Sequence, residues 1–241
     1  LLRKLLWIVP LAILAVLPQV GVLLNAFAEE WSMTVLPQSY TLSHIASAFR
    51  MPVSSTGMTN SLYLSLLAAV IGIITAFAIA WLLVKQPVRG SSILDFFASL
   101  PLAIPGVLVA VGYLNLFHGT AYSPVAAAAP VLIMAYVVRR LPYMVRCIGT
   151  EVSRISPTLQ EAAHSLGASG FRVWRKVTVP LLLPSIIAGA VVAFTFSFVE
   201  IGCSLILVFQ KEDYPLAKSI WSTFAEGGND LAIATVLGLV G

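Results

Sequence analysis

Apolar runs of about 20 residues or more recur along this chain, parted by polar and basic stretches. After Arg3 and Lys4 a run extends from Leu5 to Phe27 and stops at Glu29-Glu30. It reads as a membrane helix or as a signal peptide cleaved after Ala26-Phe27-Ala28, and its length favours the helix, because a signal h-region is usually about 7–15 residues. Residues 29–59 are polar, contain Pro37 and Pro52, and predict a loop with a short amphipathic piece around Leu42 to Phe49. A second span is expected from Asn60 to Val84, closed by the turn Lys85-Gln86-Pro87-Val88-Arg89-Gly90. A third, Ile93 to Phe117, is interrupted by Pro101 and by Pro105-Gly106. Proline lacks a backbone donor, so this span must bend or break, either as a packed kink or where it lines a water-filled path. A fourth span, Pro124 to about Val138, is short unless the segment through Leu141 contributes; it ends at Arg139-Arg140, and a basic loop is expected over 139–178. From Pro180 to Phe209 the only charged side chain is Glu200. That stretch exceeds the roughly 20 residues of one crossing, so it predicts a span plus a re-entrant or surface extension beyond Gly202. Residues 210–230 form a polar loop, and Leu231 to Gly241 begins an apolar run too short to cross. The chain is therefore expected to be a portion of a longer protein.

Composition narrows the class. Of 241 residues, 59% are hydrophobic and 10% charged, against roughly 25% charged in a soluble domain. A soluble globular fold is excluded. The expected fold is an all-α, polytopic transmembrane helix bundle of about six spans, the sixth incomplete, with residues 1–241 as one membrane domain. Net charge is +4, which in such a protein records orientation and gives no reason to expect a nucleic-acid partner. With the N-terminus cytoplasmic, Arg3, Lys4, Lys85, Arg89, Arg139, Arg140, Arg146, Arg154, Arg172, Arg175 and Lys176 lie inside, and only Arg50, Lys211 and Lys218 outside. That bias sets 29–59 and 210–230 on the extracytoplasmic side.

Catalytic and metal chemistry have little to build on. Cys147 and Cys203 form no CxxC pair, and His44, His118 and His164 have no metal-ligand spacing. No catalytic residues, metal site or bound cofactor are expected. There is no GxxxxGK[ST] loop either, so any ATP and Mg must be held by another chain.

The most specific stretch lies within 139–178. Ser156 suits an N-cap, Pro157 the first helical position, and Gly167 the left-handed residue past a helix end. They delimit a helix of about ten residues in which Leu159, Ala162, Ala163 and Leu166 share one face. So short a helix is marginal alone in water. It must pack on something.

Glu161-Ala162-Ala163, followed by Gly167-Ala168, Trp174 and Val177-Thr178-Val179-Pro180-Leu181-Leu182-Leu183-Pro184, resembles the EAA loop of permease subunits of type I ATP-binding-cassette importers. The likeness covers about 28 residues closely and the topology loosely. Leu166 departs from it, since many members carry Asp there. The resemblance implies an inner-membrane permease coupled to an ATPase dimer, with Leu159, Glu161, Ala162, Ala163, Leu166, Gly167 and Ala168 docking in a cleft of the ATPase. It also implies a second permease subunit or fused half, an extracytoplasmic solute-binding protein, and delivery of substrate near Ile201 to Phe224. The run Ser197-Phe198-Val199-Glu200-Ile201-Gly202 is similar to the subgroup that carries iron(III), thiamine, sulfate, molybdate, polyamines and 2-aminoethylphosphonate. The likeness leans toward iron(III) and 2-aminoethylphosphonate.

Residues for a path or gate are Pro101, Pro105, Asn115, Ser197, Glu200 and Ser204, with His118 and Thr195 nearby. An ionisable residue in a span is a functional hypothesis by default. Counted from Pro180–Pro184, Glu200 lies about 24–30 Å across, near the outer surface, where it lines a gate, pairs with a neighbour or meets water. Ser197, Thr195 and Ser204 line a path or bond their own helix. An ion-gradient-driven transporter or channel is the alternative, and it should show several ionisable groups at mid-membrane. An integral-membrane enzyme lacks a clustered His, Asp or Cys set.

Overall fold

The computed structural model describes residues 2–29, 31, 34–86 and 89–226. The start of the expected sixth span at Leu231 lies outside these residues. So do Pro87 and Val88 of the expected turn, and Glu30.

The described residues are helical: α1 (Leu2–Phe27), α2 (Ser43–Arg50), α3 (Pro52–Lys85), α4 (Ser91–Ser99), α5 (Gly106–Leu116), α6 (Ala128–Arg154), α7 (Pro157–Ser165), α8 (Gly170–Val173), α9 (Val179–Phe198), α10 (Gly202–Leu207) and α11 (Leu216–Glu226). The one extended pairing among them is the antiparallel bridge between Ala28 and Tyr40. Val9–Phe27, Ser54–Lys85 and Gly170–Phe198 are each long and apolar enough to cross a membrane. Ser91–Leu102 and Gly106–Leu116 form a further pair bent by 109°.

Two compact units are present, and the division falls within α3. In the unit of residues 1–59 and 214–241, α1 meets α2 through Ala26 and Ala48, flanked by Ile45, Met51 and Ile220. The buried His44 ring lies 3.0 Å from the Ala28 carbonyl. On α11 the Lys218 ammonium stands 4.7 Å from the centre of the Tyr214 ring, and burial pushes its pKa below the usual lysine range.

The unit of residues 60–213 is built around α3, α6 and α9. Small residues on α3 (Ala69, Ala76, Ala80) pack against Met144, Val145, Ile148 and Val152 of α6 and Leu182 and Ala193 of α9. Small residues let helix backbones approach closely, the main packing device where lipid is as apolar as the side chains. Directions follow from the contacts. Gly72 faces Met144 and Ala80 faces Gly149, so α3 and α6 run parallel. Gly189 lies against Met144 and Cys147 while Phe196 stacks on Tyr143, so α9 runs antiparallel to α6. An alternating second, fourth and fifth span would do the same.

The boundaries differ from expectation in three places. α3 starts at Pro52 instead of Asn60, and α2 is the amphipathic piece of the preceding segment. The helix expected as the fourth span does not end at Val138: α6 is 27 residues long, from Ala128 to Arg154, and runs through Arg139, Arg140 and Pro142; it is not among the described helices long and apolar enough to cross a membrane. Arginine is a good helix former, so the pair does not stop the helix, and residues 139–154 of the expected basic loop are helical. Past Gly170 the chain is helical again, with a wide π turn over Trp174–Thr178 ahead of Pro180, and α9 ends at Phe198 before the short α10. The expected span with an extension beyond Gly202 has that form.

Candidate functional site

α7 is built as the sequence dictates. The Ser156 hydroxyl accepts a hydrogen bond from Thr158 N at 3.2 Å, and Pro157 occupies the first turn, where its missing N–H leaves no helical carbonyl unpaired. At the other end Gly167 has φ +79°. Its N–H donates to His164 O at 2.9 Å and that of Ala168 donates to Ala163 O at 3.1 Å, the paired closure of a Schellman end. Leu159 is half exposed, Leu166 is 89% exposed, and Glu161 and Ala162 face outward as well. Among the described residues nothing covers the apolar stripe of this helix.

A second assembly lies within the unit of residues 60–213, where two helices are broken at one place. α4 passes through a 3-10 turn (Leu100–Leu102) into the bend before Pro105, and α9 stops three residues before α10. Pro105 supplies the extended residue from which α5 starts. α5 and α10 pack together, and α6 passes alongside both.

Glu200 sits at this junction and is buried. Its carboxylate pairs with Arg140 and lies 3.5 Å from Arg139 Nε. Arg140 also donates to Phe196 O at 2.7 Å, with its guanidinium 5.5 Å from the centre of the Phe196 ring. Arg139 donates from Nη1 to Ile104 O at 3.4 Å, reaching the bend itself. The Cys203 N–H points to Glu200 Oε1 at 3.4 Å, and Tyr136 donates to Glu200 O at 3.5 Å. The cluster fits only because two residues lack side chains. A Cβ on Gly106 would stand 2.6 Å from Arg139 Nη1 and 3.0 Å from Glu200 Oε1, and one on Gly202 3.1 Å from Glu200 Oε1.

Glu200 is therefore a paired, buried carboxylate. Its partner Arg140 is 12 residues into α6 and 14 from its end, about 18 and 21 Å along the axis. Arg139 and Arg140, expected at the end of a span, therefore lie inside a continuous helix and are paired with Glu200. Three charged side chains meet at the junction, Arg139, Arg140 and Glu200.

The other expected path residues divide. Pro101 and Pro105 frame the bend. Ser204 is buried and turns its hydroxyl back on Glu200 O and Ile201 O, both at 3.1 Å. Ser197 is buried with no hydrogen-bond partner on its hydroxyl. Asn115 is exposed and bonds its own helix at Val111 O, and His118 and Thr195 are exposed, all apart from the junction. Sequence reading missed Arg139, Arg140, Gly106 and Gly202. The signal was the apolar Leu141 to Val145 after the arginine pair, which a cytoplasmic loop would not carry. A cleft of about 470 Å³ elsewhere, lined by Ala80, Ser91, Asp95, Arg146 and Thr150, contains none of the expected residues. Arg146 there pairs with Asp95 at 2.9 Å.

Residues 68–240 match the family described as binding-protein-dependent transport system inner membrane component. The molybdenum transport system permease protein ModB of Escherichia coli K12 is 34% identical over 163 residues, covering 61% of this chain and 69% of that one. A putative 2-aminoethylphosphonate transport system permease protein, PhnV of Salmonella paratyphi A, is 28% identical, covering 79% and 71%. A bacterial alginate ABC transporter, solved in complex with an alginate-bound periplasmic protein, has the same fold, with TM-score 0.74, 20% identity and coverage of 99% and 88%.

Proposed function

Since the chain belongs to the family of binding-protein-dependent transport system inner membrane components, we propose that it forms the solute path of an ATP-driven importer by alternating access and is driven through α7 by a separate ATPase. The observation that carries the coupling is the bare stripe of α7. A nine-residue helix capped at both ends, with Leu159 and Leu166 exposed, needs an external surface, and its small residues allow close approach. Glu161 pairs with a basic group of the ATPase, and Gly167 lets the chain turn sharply behind it. Ala163 and Ala168 complete the seat. When the ATPase dimer closes on ATP and Mg, the docked helix moves and the spans pivot. The remaining partners are a second permease subunit or fused half and an extracytoplasmic binding protein. The N-terminus is cytoplasmic.

The substrate is a small oxyanion of the molybdate or phosphonate kind. The names of the two sequence relatives support this reading, and they lend nothing to iron(III). Two guanidinium groups against one carboxylate also disfavour a trivalent cation at the junction. In proteoliposomes holding the complete complex, assembled with its ATPase and binding protein, uptake of molybdate or 2-aminoethylphosphonate should require ATP. Gly167→Pro should leave ATP hydrolysis running while uptake falls at least tenfold. Uptake driven by a proton or sodium gradient without ATP would instead favour a secondary transporter.

A further inference from the structure

Charge at the junction does not balance. Arg139 and Arg140 face one carboxylate, and among the described residues neither forms an ion pair with any other. Arginine stays protonated in proteins, so the cluster carries a surplus positive charge in a helical, membrane-spanning unit where unpaired charge is costly. Its donors are also under-used. The Nε of Arg140, a residue only 7% exposed, is buried without a hydrogen-bond acceptor, and that of Arg139 has only the long 3.5 Å contact with Glu200. The Arg139 side chain, at 18% exposure, is the accessible side of the cluster, against 9% for Arg140 and 7% for Glu200.

We propose that Arg139 and Arg140 form an oxyanion-binding site at the helix breaks, in which Glu200 is an internal counter-anion that the transported oxyanion displaces. This rests on the importer reading above and assigns the point of the path where the substrate's charge is held. Guanidinium forks match the oxygen spacing of a tetrahedral oxyanion and bind it through paired N–H donors. Glu200 holds the same donors in its absence, which keeps the arginines charged, ordered and in place. The carboxylate is held by Arg140, Arg139 and one backbone N–H, that of Cys203. Gly106 and Gly202 leave room beside it, because any side chain there would meet the carboxylate or Arg139. The bends before Pro105 and after Phe198 give the chain places to yield when the carboxylate swings away. Competition between carboxylate and substrate keeps the site from holding the oxyanion too tightly to release it.

The test uses the whole complex in detergent and in proteoliposomes, with molybdate and 2-aminoethylphosphonate as probes. Glu200→Gln removes the competing charge while keeping the shape. It should tighten molybdate binding to the complex lacking its binding protein at least tenfold and slow uptake by a similar factor. Arg139→Gln, at the accessible side, should weaken binding and lower uptake at least tenfold while ATP hydrolysis still responds to the loaded binding protein. Unchanged molybdate affinity in Glu200→Gln overturns the proposal, and so does full uptake by Arg139→Gln. If both variants melt far below the wild type, the charge-neutral pair Arg139→Gln/Glu200→Gln decides: wild-type uptake by it overturns the proposal, and loss of uptake with a restored melting temperature supports it. A wild-type complex that carries neither oxyanion but takes up another solute with ATP overturns both the site and the substrate class. ATP-driven oxyanion uptake insensitive to these variants overturns the site alone.

Discussion

At the scale of single residues, two glycines and one carboxylate decide the geometry of the junction. An alanine at Gly106 has to push the Arg139 guanidinium aside, since its Cβ would lie 2.6 Å from Nη1, whereas the same change at Gly112 on the same helix meets nothing within 4 Å. Gly106→Ala should therefore lower uptake several-fold with little loss of stability, because the displaced group is the end of a flexible side chain, and Gly112→Ala should match the wild type; uptake assays on equal amounts of inserted protein compare them. Removing Glu200 altogether is a different matter. Breaking a buried pair costs about 3–5 kcal/mol where an uncompensated charge remains, and here two arginines remain. Glu200→Leu should cut the melting temperature and yield of the detergent-solubilised protein far more than Glu200→Gln.

At the scale of elements, α7 combines strong caps with a weak core. Loss of the Ser156 side chain in Ser156→Ala, or forcing an L-residue to φ +79° in Gly167→Ala, should each cost about 1 kcal/mol. Hydrogen exchange of the α7 amides should rise about fivefold in each variant, with α6 and α9 unaffected. Ala162→Trp tests the exposed face. Ala162 is exposed, so thermal stability should stay within about 0.5 kcal/mol of wild type, while co-purification of the ATPase is lost. The arginine-bearing α6 is the converse case. Its middle looks like a loop boundary by charge alone, and the buried Arg140 is tolerated there because Glu200, 60 residues further along the chain, supplies the counter-charge.

At the scale of the whole molecule, orientation is the property to check. The relative directions of α3, α6 and α9 agree with alternating crossings, and the basic residues at Arg172, Arg175 and Lys176 mark one side. In a background with Cys147 and Cys203 replaced by serine, a cysteine at Arg172 should react with a membrane-impermeant maleimide only when the cytoplasmic face is open. One at Lys211 should react from the opposite side. The reverse pattern would invert the proposed topology and put α7 out of reach of an ATPase.

Sequence alone determined what depends on local chemistry. The long apolar runs specify membrane helices, because about 20 such residues satisfy every backbone group within themselves. Ser156, Pro157 and Gly167 specify α7, because caps act over a few residues. Pro105-Gly106 specifies a break for the same reason. Tertiary structure alone decided what the break is for. That Arg139 and Arg140 lie within a continuous helix, that Glu200 is held between them, and that two helix ends meet there depends on contacts across 60 residues or more of chain. A charge pair reads in sequence as a membrane boundary unless its partner is known, since desolvation is prohibitive for a lone charge and tolerable for a paired one.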